Sequence, residues 1–526
     1  MITLRISVAL AVLTTLLSAQ QRGEPIDFMT IVIEGKEMLY LPKSLVKQAP
    51  EPPAPYTKRE LDSINPLEKT PLFRSEPLQY SRQIFPPLSD NLALIAQTGL
   101  YGFATLDALY QTQIEQYVLD LRGTLDRGGP YRPNADYFRT RLTAIARTAS
   151  HSAPDTHRMM GNGMVDIQTW SYRLFAIPQA PERLVRTASL MLEQKVDGSR
   201  LPYHASVEVQ NVHLRHMDSA TTDETEIRAR ARTIPWHIGS MQLGAQADFS
   251  LRNYRGTTLH FHTVTVTGAY SDSMFAVDTQ FGAQLGTTSW RSEEFSPIAD
   301  IGAQWRIVPW AWIESRIRSW NTPVYFRDQF AHCPYVTDSA AIGVKAIPYQ
   351  LNAGISIVPN SNLLFAANVH LCSYSSAPYF DPIGDGTFVL RYSSWNERWV
   401  ELSGRYSTNQ HNYLRGRLRF LDAALHDGSR VPYQPTWTVD MEYGTTPSER
   451  LMVAIRSGYV SARRGGTQNT GHLSGYFIIA GRGEYRLNDT FSVTVTVDNL
   501  AGSIIELWQG YLERGRFVAI GLAARF

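Results

Sequence analysis

The sequence predicts an all-β fold, namely a transmembrane antiparallel up-and-down β-barrel of about 22 strands. Three observations support this prediction. An export signal is followed by no helix-length apolar stretch, long segments alternate apolar and polar residues, and the connections between these segments alternate between short and long. Each observation is weak alone, but together they distinguish a membrane barrel from a soluble β-sandwich.

An apolar run at the N-terminus predicts export. Residues 6–17 follow the single positive charge of Arg5 and precede the small residues Ser18 and Ala19. This is the pattern of a cleaved signal peptide, which we place at residues 1–19. No later stretch reaches the roughly 18 uninterrupted apolar residues of a membrane-spanning helix. Any membrane crossing is therefore made by strands, which places the protein in the outer membrane of a Gram-negative-type cell.

Residues 117–526 repeat with a period of two, the signature of a strand with one apolar and one polar face. Clear examples are residues 241–252, 275–285 and 491–498. Many segments are longer than the roughly five or six residues of an average soluble strand. Aromatic residues make up 11% of the chain, which suits the ring belts of a membrane barrel.

Counted back from the C-terminus, the connections alternate in length as they do in bacterial barrels, which have short periplasmic turns and long external loops. The predicted tight turns are residues 488–490, 445–450, 348–350, 308–310 and 271–273. The predicted long loops are residues 499–515, 461–472, 421–434 and 319–337. This count gives about 22 strands between Tyr117 and Phe526.

The region before the barrel has a different composition. Residues 20–92 are rich in proline, most densely at 50–55, so we interpret them as an extended periplasmic arm rather than a packed domain. Residues 93–116 are ambiguous between helix and strand. We expect this segment to enter the lumen or to cover the barrel mouth, with the barrel itself at 117–526.

The last strand carries the sharpest local pattern. Val518, Ile520, Leu522 and the terminal Phe526 share one face. An apolar row ending in a C-terminal aromatic residue resembles the signal by which the barrel-assembly machinery recognises its clients. We therefore predict that machinery as a partner, with outer-membrane lipid around the barrel.

The final hairpin resembles that of TonB-dependent receptors. The similarity lies in residues 497–500, Trp508, Gly510 with Tyr511, and residues 515–517. It implies a 22-strand barrel that transports a solute, an N-terminal plug inside the barrel, and a TonB-type energising protein. The chain before residue 117 is too short for the plug of that family, so a partner protein would have to supply a plug or lid.

A short peptide in the arm resembles the family's coupling segment. It consists of Met29, Thr30, Ile31, Val32 and Ile33, a threonine within a short apolar run that can add as a strand to a partner's sheet edge. The alternative is an exported β-forming stretch with no partner, and the sequence leaves both readings open.

Two arginine triplets are candidate lumen residues: Arg228, Arg230, Arg232, and Arg415, Arg417, Arg419. Charged walls focus an electric field and could attract anionic solutes. The simpler interpretation is a hydrated pore wall whose charge is balanced by Glu401, Asp440, Glu442 and Glu484.

Other polar residues give no specific chemistry. His260 and His262 lie two apart on one strand face, which could hold a metal, although a polar pair facing the lumen is the simpler interpretation. Cys333 is predicted in an external loop and Cys372 near the periplasmic end, too far apart for a disulfide. We therefore predict no catalytic residue, no metal site and no cofactor.

The leading hypothesis from the sequence is a barrel for solute uptake or passage across the outer membrane. The alternative is a barrel that transports nothing and anchors a cell-envelope complex through its arm and loops. The net charge of +2 gives no signal for nucleic-acid binding. The solute is not encoded in any pattern that we recognise, and we predict that the protein is not an enzyme.

Overall fold

The fold is a closed barrel, seen in a computed structural model. The structure describes residues 92–114, 117–148, 158–177, 181–197, 203–216, 221–233, 235–238, 240–272, 274–288, 291–337, 343–360, 362–384, 386–408, 412–467 and 471–526. The predicted signal peptide, the Pro-rich arm and the coupling peptide lie outside these residues. No helix in the described ranges is long and apolar enough to cross a membrane.

The strands follow one another along the chain. The first half comprises β1 (Leu92–Gly99), β2 (Ala104–Ile114), β3 (Tyr117–Gly128), β4 (Tyr137–Thr148), β5 (Arg158–Arg173), β6 (Glu182–Asp197), β7 (Tyr203–His216), β8 (Thr221–Thr233), β9 (Trp236–Ile238), β10 (Met241–Tyr254), β11 (Thr257–Ser271), β12 (Phe275–Thr288), β13 (Arg291–Val308) and β14 (Ala311–Pro323).

A short helix, α1 (Phe326–His332), interrupts the series. The second half comprises β15 (Val344–Asn360), β16 (Leu363–Pro382), β17 (Phe388–Ser407), β18 (Asn412–Leu425), β19 (Trp437–Ser448), β20 (Leu451–Val460), β21 (Arg463–Arg464), β22 (His472–Leu473), β23 (Tyr476–Arg486), β24 (Phe491–Asp498), β25 (Glu506–Trp508), β26 (Tyr511–Leu512) and β27 (Phe517–Arg525).

Twenty-two strands form the wall, as predicted. Each pairs antiparallel with its neighbours in the chain, and β9 pairs with the same strand, β10, as β8 does. The pairs β21–β22 and β25–β26 are separate small hairpins in the loops. The seam closes where β1 pairs with β27, from Ala93 opposite Arg525 to Gly99 opposite Ala519. Closure leaves no unpaired sheet edge, which a barrel in lipid requires.

The outer face is apolar and the inner face polar, because side chains alternate along each strand. Val264, Val266 and Phe295 are 60–69% exposed on the outside. Thr494, Glu484 and other polar residues are buried on the inside. The long connections lie at one end of the barrel, and their described parts include residues 324–337, 426–436, 461–467, 471–475 and 499–516. By the usual asymmetry of bacterial barrels, that end faces the outside of the cell.

The predicted position of residues 93–116 is wrong. This segment is not in the lumen or over the mouth, because it forms β1 and β2, the first two strands of the wall. The strand signal was hidden because Leu92 to Ala96 is apolar on both faces, so the period of two is lost. The left-handed residues Tyr101 and Gly102 make the short turn between the two strands.

A predicted turn at residues 348–350 is also wrong and explains part of why the count was nevertheless right. These residues lie inside β15, next to a register shift where Arg318 pairs with Gln350 but Trp320 pairs with Ile347. Pro348 occupies this irregular position, where its missing N–H breaks no regular ladder bond. This extra turn split β15 in two and added one of the surplus strands counted after Tyr117, and that surplus offset the two strands missed before it.

Candidate functional site

A loop crosses the outer mouth of the barrel. Residues 324–337, which we call the lid, contain α1 and follow β14. The lid contacts β5 to β8 and β10 on one side and β16 and β17 on the other. In a ring of 22 strands these two groups lie on nearly opposite sides, across roughly 40 Å of opening. A loop that contacts both must cross the opening, so the lid lies over the mouth.

The barrel wall caps the lid helix. Tyr325, the residue before α1, makes no side-chain cap. Instead the carboxylate of Glu224 on β8 accepts hydrogen bonds from the backbone N–H groups of Phe326, at 3.1 Å, and Arg327, at 3.0 Å. Glu224 is buried and lies 3.7 Å from the Arg252 guanidinium, which also donates to the Val324 carbonyl. A carboxylate at a helix N-terminus satisfies free N–H groups and the positive end of the helix dipole.

A buried arginine holds the second half of the lid. Arg183 on β6 is 1% exposed, and its Nη1 donates to the carbonyls of Pro334, at 2.9 Å, and Val336, at 2.8 Å. The Tyr172 hydroxyl donates to the Pro334 carbonyl as well, at 2.6 Å. Hydrogen bonds from a charged donor are stronger than neutral ones. These bonds fix the lid to the wall formed by β5 and β6.

The far side of the lid joins the opposite wall through its backbone. Val336 forms a parallel bridge with Phe388 at the start of β17. The Thr337 N–H donates to the Phe388 carbonyl at 2.7 Å, and the Phe388 N–H donates to the Tyr335 carbonyl at 3.2 Å. The lid therefore ends as a short strand added to the far wall.

Aromatic packing fills the space beneath and around the lid. The Tyr335 ring stacks on Tyr511 of the last long loop, and the Tyr511 hydroxyl donates to the Gly386 carbonyl at 2.7 Å. Trp508 packs against Phe388 and Tyr433. We call the buried residues of this region the lid cluster: Tyr172, Leu174, Val185, Val212, Leu214, Tyr254, Val324, Phe326, Phe330, Cys333, Val336, Phe380, Phe388, Leu390, Trp508 and Tyr511.

The phenols of the lid are neutral over the physiological range. Burial raises the pKa of Tyr325 to about 12, and it also raises the pKa of Tyr335 well above its ordinary value. The Arg228 guanidinium lies 5.2 Å from the centre of the Tyr325 ring. This cation opposes the effect of burial on Tyr325 but does not cancel it.

The structure places the predicted lumen arginines of β8 on the inner wall with partners. Arg228 pairs with Glu226 at 2.9 Å and Arg230 with Asp248. Arg232 donates to His204 Nδ1 at 2.8 Å. The second triplet lies on β18, far around the ring, so the two triplets do not form one site.

The arginines of β18 are also balanced. Arg415 pairs with Glu442 at 2.7 Å, and Arg417 lies opposite Asp440 in the register of β18 and β19. Arg419 lies over the Trp399 ring, 4.4 Å from its centre, and 3.8 Å from Glu397. The arrangement is that of a polar wall whose charges are compensated. A role of either triplet in attracting anions remains a prediction.

One inner-wall cluster was missed by the sequence analysis. His370 on β16 stacks on Trp399 of β17, and His370 Nε2 lies 3.3 Å from Glu397. The Tyr374 hydroxyl donates to Glu397 at 3.0 Å. These residues come from different strands at no fixed spacing, so only the strand register could have brought them together.

The histidine and cysteine placements differ from the predictions. His260 and His262 share a face with Val264 and Val266, so they point outward and not into the lumen.

Cys333 lies in the external lid, as expected. Cys372 lies near the middle of β16 and not at the periplasmic end, because the residues around it are one continuous strand. Neither cysteine takes part in a disulfide bond, and both are buried. The described residues contain no group of three or more His, Cys, Asp or Glu side chains suited to hold a metal.

The C-terminal strand has the predicted alternation. Val518, Ile520, Leu522 and Phe526 are 39–56% exposed on the outer face, whereas Phe517 and Ala519 are buried inside. The Phe526 N–H and carbonyl both bond to Leu92 across the seam. The exposed apolar row is therefore a real surface, and its recognition by the assembly machinery remains a prediction.

Solved structures of outer-membrane transporters share this fold. The copper transporter OprC matches with a TM-score of 0.66 at 10% identity, over 84% of this chain and 81% of its own. The FrpB iron transporter from Neisseria meningitidis matches with a TM-score of 0.66 at 10% identity, over 84% of this chain and 83% of its own. The siderophore receptor PirA from Pseudomonas aeruginosa matches with a TM-score of 0.60 at 12% identity, over 84% of this chain and 81% of its own. No protein-family model and no curated protein matches the sequence.

These neighbours are TonB-dependent receptors, so the chain has the 22-strand barrel fold of that class, as the final hairpin predicted. At about 10% identity the likeness establishes the fold. Within the described residues the chain enters the first barrel strand at Leu92, and no separate plug domain is present there.

Proposed function

We propose that this protein is an outer-membrane transport barrel whose own lid, rather than a plug domain, gates the passage of a solute at the outer mouth. The single observation that carries the proposal is the lid, which joins opposite walls across a wide lumen. A barrel that served only as an anchor has no need of a polar inner wall closed by a separate packed loop. The proposal includes no catalytic activity.

Two further observations support transport. The inner wall beneath the lid carries many ion pairs with partly exposed arginines, such as Arg141, Arg230 and Arg415, which suit a hydrated path. Transporters and receptors for copper, iron and siderophores have the same fold.

Single-channel recording in planar bilayers tests the proposal. We expect the full-length protein to show small or brief conductance steps. The double variant Phe330→Ala with Arg183→Met loosens the lid and should give a large, steady conductance. Leu192→Val, a change on the outward face, is the matched control and should behave as the unmodified barrel.

If the lid variant is as silent as the control, gating by the lid is wrong, and an anchoring barrel becomes the better reading. A large steady conductance in the unmodified protein would equally contradict the proposal, since the mouth would then be open. Circular dichroism and the folded-barrel shift in cold SDS gels confirm that each variant is folded.

We propose in addition that a TonB-type protein energises the lid or its partner through Met29, Thr30, Ile31, Val32 and Ile33. The support is the peptide pattern and the fold class, since the peptide lies outside the described residues. A proline removes a strand donor, so Ile31→Pro should abolish cross-linking of a Thr30→Cys protein to a TonB-type periplasmic domain. Pro53→Ala is the control. Unchanged cross-linking of the Ile31→Pro protein would refute this coupling.

A further inference from the structure

Four arginines point outward near the outer rim of one side of the barrel. Arg127 lies on β3, Arg173 on β5, Arg186 on β6 and Arg215 on β7. We call them the rim patch. Their outward direction follows from strand parity, because Ile167, Leu190 and Val207 on the same faces are 42–47% exposed. The alternate residues of these strands, including Arg183 and Leu214, are buried in the lumen.

The strand register makes the rim patch continuous. Residues that lie opposite each other on β3 to β7 form one row across the wall, namely Arg127, Phe138, Ser171, Leu184 and Arg215. Arg186 and Arg173 are each two residues from this row on their own strands. The row spans four strand spacings, or about 20 Å. A cavity of about 360 Å³ opens within it, lined by Arg127, Arg173, Phe138 and Glu182 among others.

Among the described residues, three of the four guanidinium groups have no protein partner. Arg127, Arg186 and Arg215 make no ion pair or side-chain hydrogen bond within the part of the chain that the structure describes. Three described carboxylates lie near the patch, and none is within ion-pair distance of Arg127, Arg186 or Arg215. Asp223 bonds to His213 Nδ1 at 2.5 Å, Glu182 accepts from the Ser171 hydroxyl at 2.6 Å, and Asp136 lies 3.8 Å from Arg173. The inner-wall arginines described above differ in having partners.

The surroundings identify the kind of ligand. Below the rim patch the outward residues become apolar, for example Val165, Leu190 and Ile227, so acyl chains cover the wall there. At the outer end of the strands the arginines reach the headgroup region of the outer leaflet, where an outward charge costs little. An arginine fork matches phosphate oxygens in geometry and charge.

We propose that the rim patch binds the phosphate groups of a phosphorylated glycolipid of the outer leaflet, of the lipopolysaccharide type. The guanidinium groups of Arg127, Arg186 and Arg215 contact the phosphates, and the apolar wall below contacts the acyl chains. The cavity between Arg127 and Arg173 receives part of the headgroup. This inference concerns the outside of the barrel and does not depend on whether the lumen conducts a solute.

Native mass spectrometry of the delipidated full-length barrel in non-ionic detergent tests the proposal. The probes are bisphosphorylated lipid A, the same lipid A after enzymatic dephosphorylation, and inorganic phosphate. We expect the phosphorylated lipid to bind well over tenfold more tightly than the dephosphorylated form. Inorganic phosphate should bind weakly, because it lacks the acyl contacts.

The double variant Arg186→Gln with Arg215→Gln should bind the phosphorylated lipid on the order of 20- to 30-fold more weakly, about fivefold for each arginine. Its affinity for the dephosphorylated lipid should not change. Arg398→Gln is the matched control, because Arg398 is an exposed arginine on the other side of the barrel that lies opposite Asp422. It should bind both lipids as the unmodified protein does.

Equal binding of both lipids by the unmodified protein would overturn the proposal, as would a double variant that keeps full affinity. If the double variant does not fold, salt dependence gives the same answer on the unmodified barrel. Between about 0.05 M and about 0.5 M salt, screening should weaken binding of the phosphorylated lipid alone. Salt-independent binding would show that only the acyl chains are recognised.

Discussion

The outer mouth and the inner wall of this barrel are stabilised in different ways. At the mouth, Phe326, Phe330 and Val336 are at most 5% exposed and pack in the lid cluster. Along the wall, arginines such as Arg141 and Arg415 keep nearly half of their side-chain surface exposed while they pair with carboxylates. The mouth resembles the core of a soluble domain, whereas the wall resembles a hydrated surface.

If the lid gates a solute as proposed, this difference indicates that the resistance to the solute lies at the mouth. Burial of large apolar side chains is worth roughly 1.5–3 kcal/mol each, whereas ion pairs exposed to water contribute about 0–1 kcal/mol each. Loss of packing should therefore open the mouth, whereas loss of a wall ion pair should alter the path without changing its closure. The following predictions test this contrast, beginning with the largest expected effect.

Phe330→Ala should open the lid. Truncation of a buried phenylalanine costs about 3–5 kcal/mol, and here it destabilises the packed position of the lid relative to an open one. Reaction of Cys333 with a polar maleimide should accelerate on the order of a hundredfold, because Cys333 is buried in the same cluster. Cys372, which lies in a separate wall cluster, is the internal reference in the peptide mass spectra and should stay slow.

Phe365→Ala is the control for this experiment, since Phe365 is 50% exposed on the outer face. Labelling of Cys333 in that variant should match the unmodified protein. Rapid labelling of Cys333 before any substitution would contradict a closed lid.

Arg183→Met should loosen the lid by a smaller amount. It removes charged donors from the Pro334 and Val336 carbonyls, and such bonds contribute about 1.5–3 kcal/mol. Hydrogen exchange of the neighbouring Thr337 amide should become at least tenfold faster. Arg186→Met, three residues along the same strand but facing outward, should leave this exchange rate unchanged. Similar rates in both variants would argue against the anchoring role of Arg183.

High pH should weaken the lid through Tyr325. Since the folded-state pKa is raised to about 12 from an ordinary value near 10, the stabilisation is complete below pH 10. It should be lost as pH rises from about 10 towards 12. Tyr325→Phe removes the titrating group. The protection of the lid amides next to Cys333, measured by hydrogen exchange, should therefore fall less over this range in that variant. An identical pH profile for both proteins would rule out Tyr325 as the source.

Arg316→Gln should have the smallest effect on closure. Arg316 bridges Asp278, at 3.0 Å, and Asp300, at 2.6 Å, and its side chain is about one-third exposed. The stability change should stay below about 1 kcal/mol. Asp300 keeps its ion pair with Arg318, at 3.2 Å, but Asp278 loses its partner Arg316. In a lid-opened background this loss of one positive charge should shift the reversal potential towards cation selectivity. Arg398→Gln, on the outer face, should not shift it, and an equal shift in both would place Arg316 outside the conducting path.

The sequence by itself determined the barrel architecture, whereas the predicted strand number was right only because errors before and after Tyr117 offset each other. The period of two in residues 241–252 and 491–498 depends only on which face meets lipid, so it is visible without the fold. The terminal row at Val518, Ile520 and Leu522 is equally local. Where a strand is apolar on both faces, as in β1, or contains a proline at a register shift, as in β15, the local pattern failed.

Only the tertiary structure decided how the mouth closes. Glu224, Arg183, Phe330 and Tyr511 are far apart in the chain, and nothing in their local sequence distinguishes them from other residues of their type. Their contacts depend on which strands stand opposite each other in a closed ring of 22, a property of the whole wall. The unpaired arginines of the rim patch became visible for the same reason, since a missing partner can be recognised only after every neighbouring strand is in register.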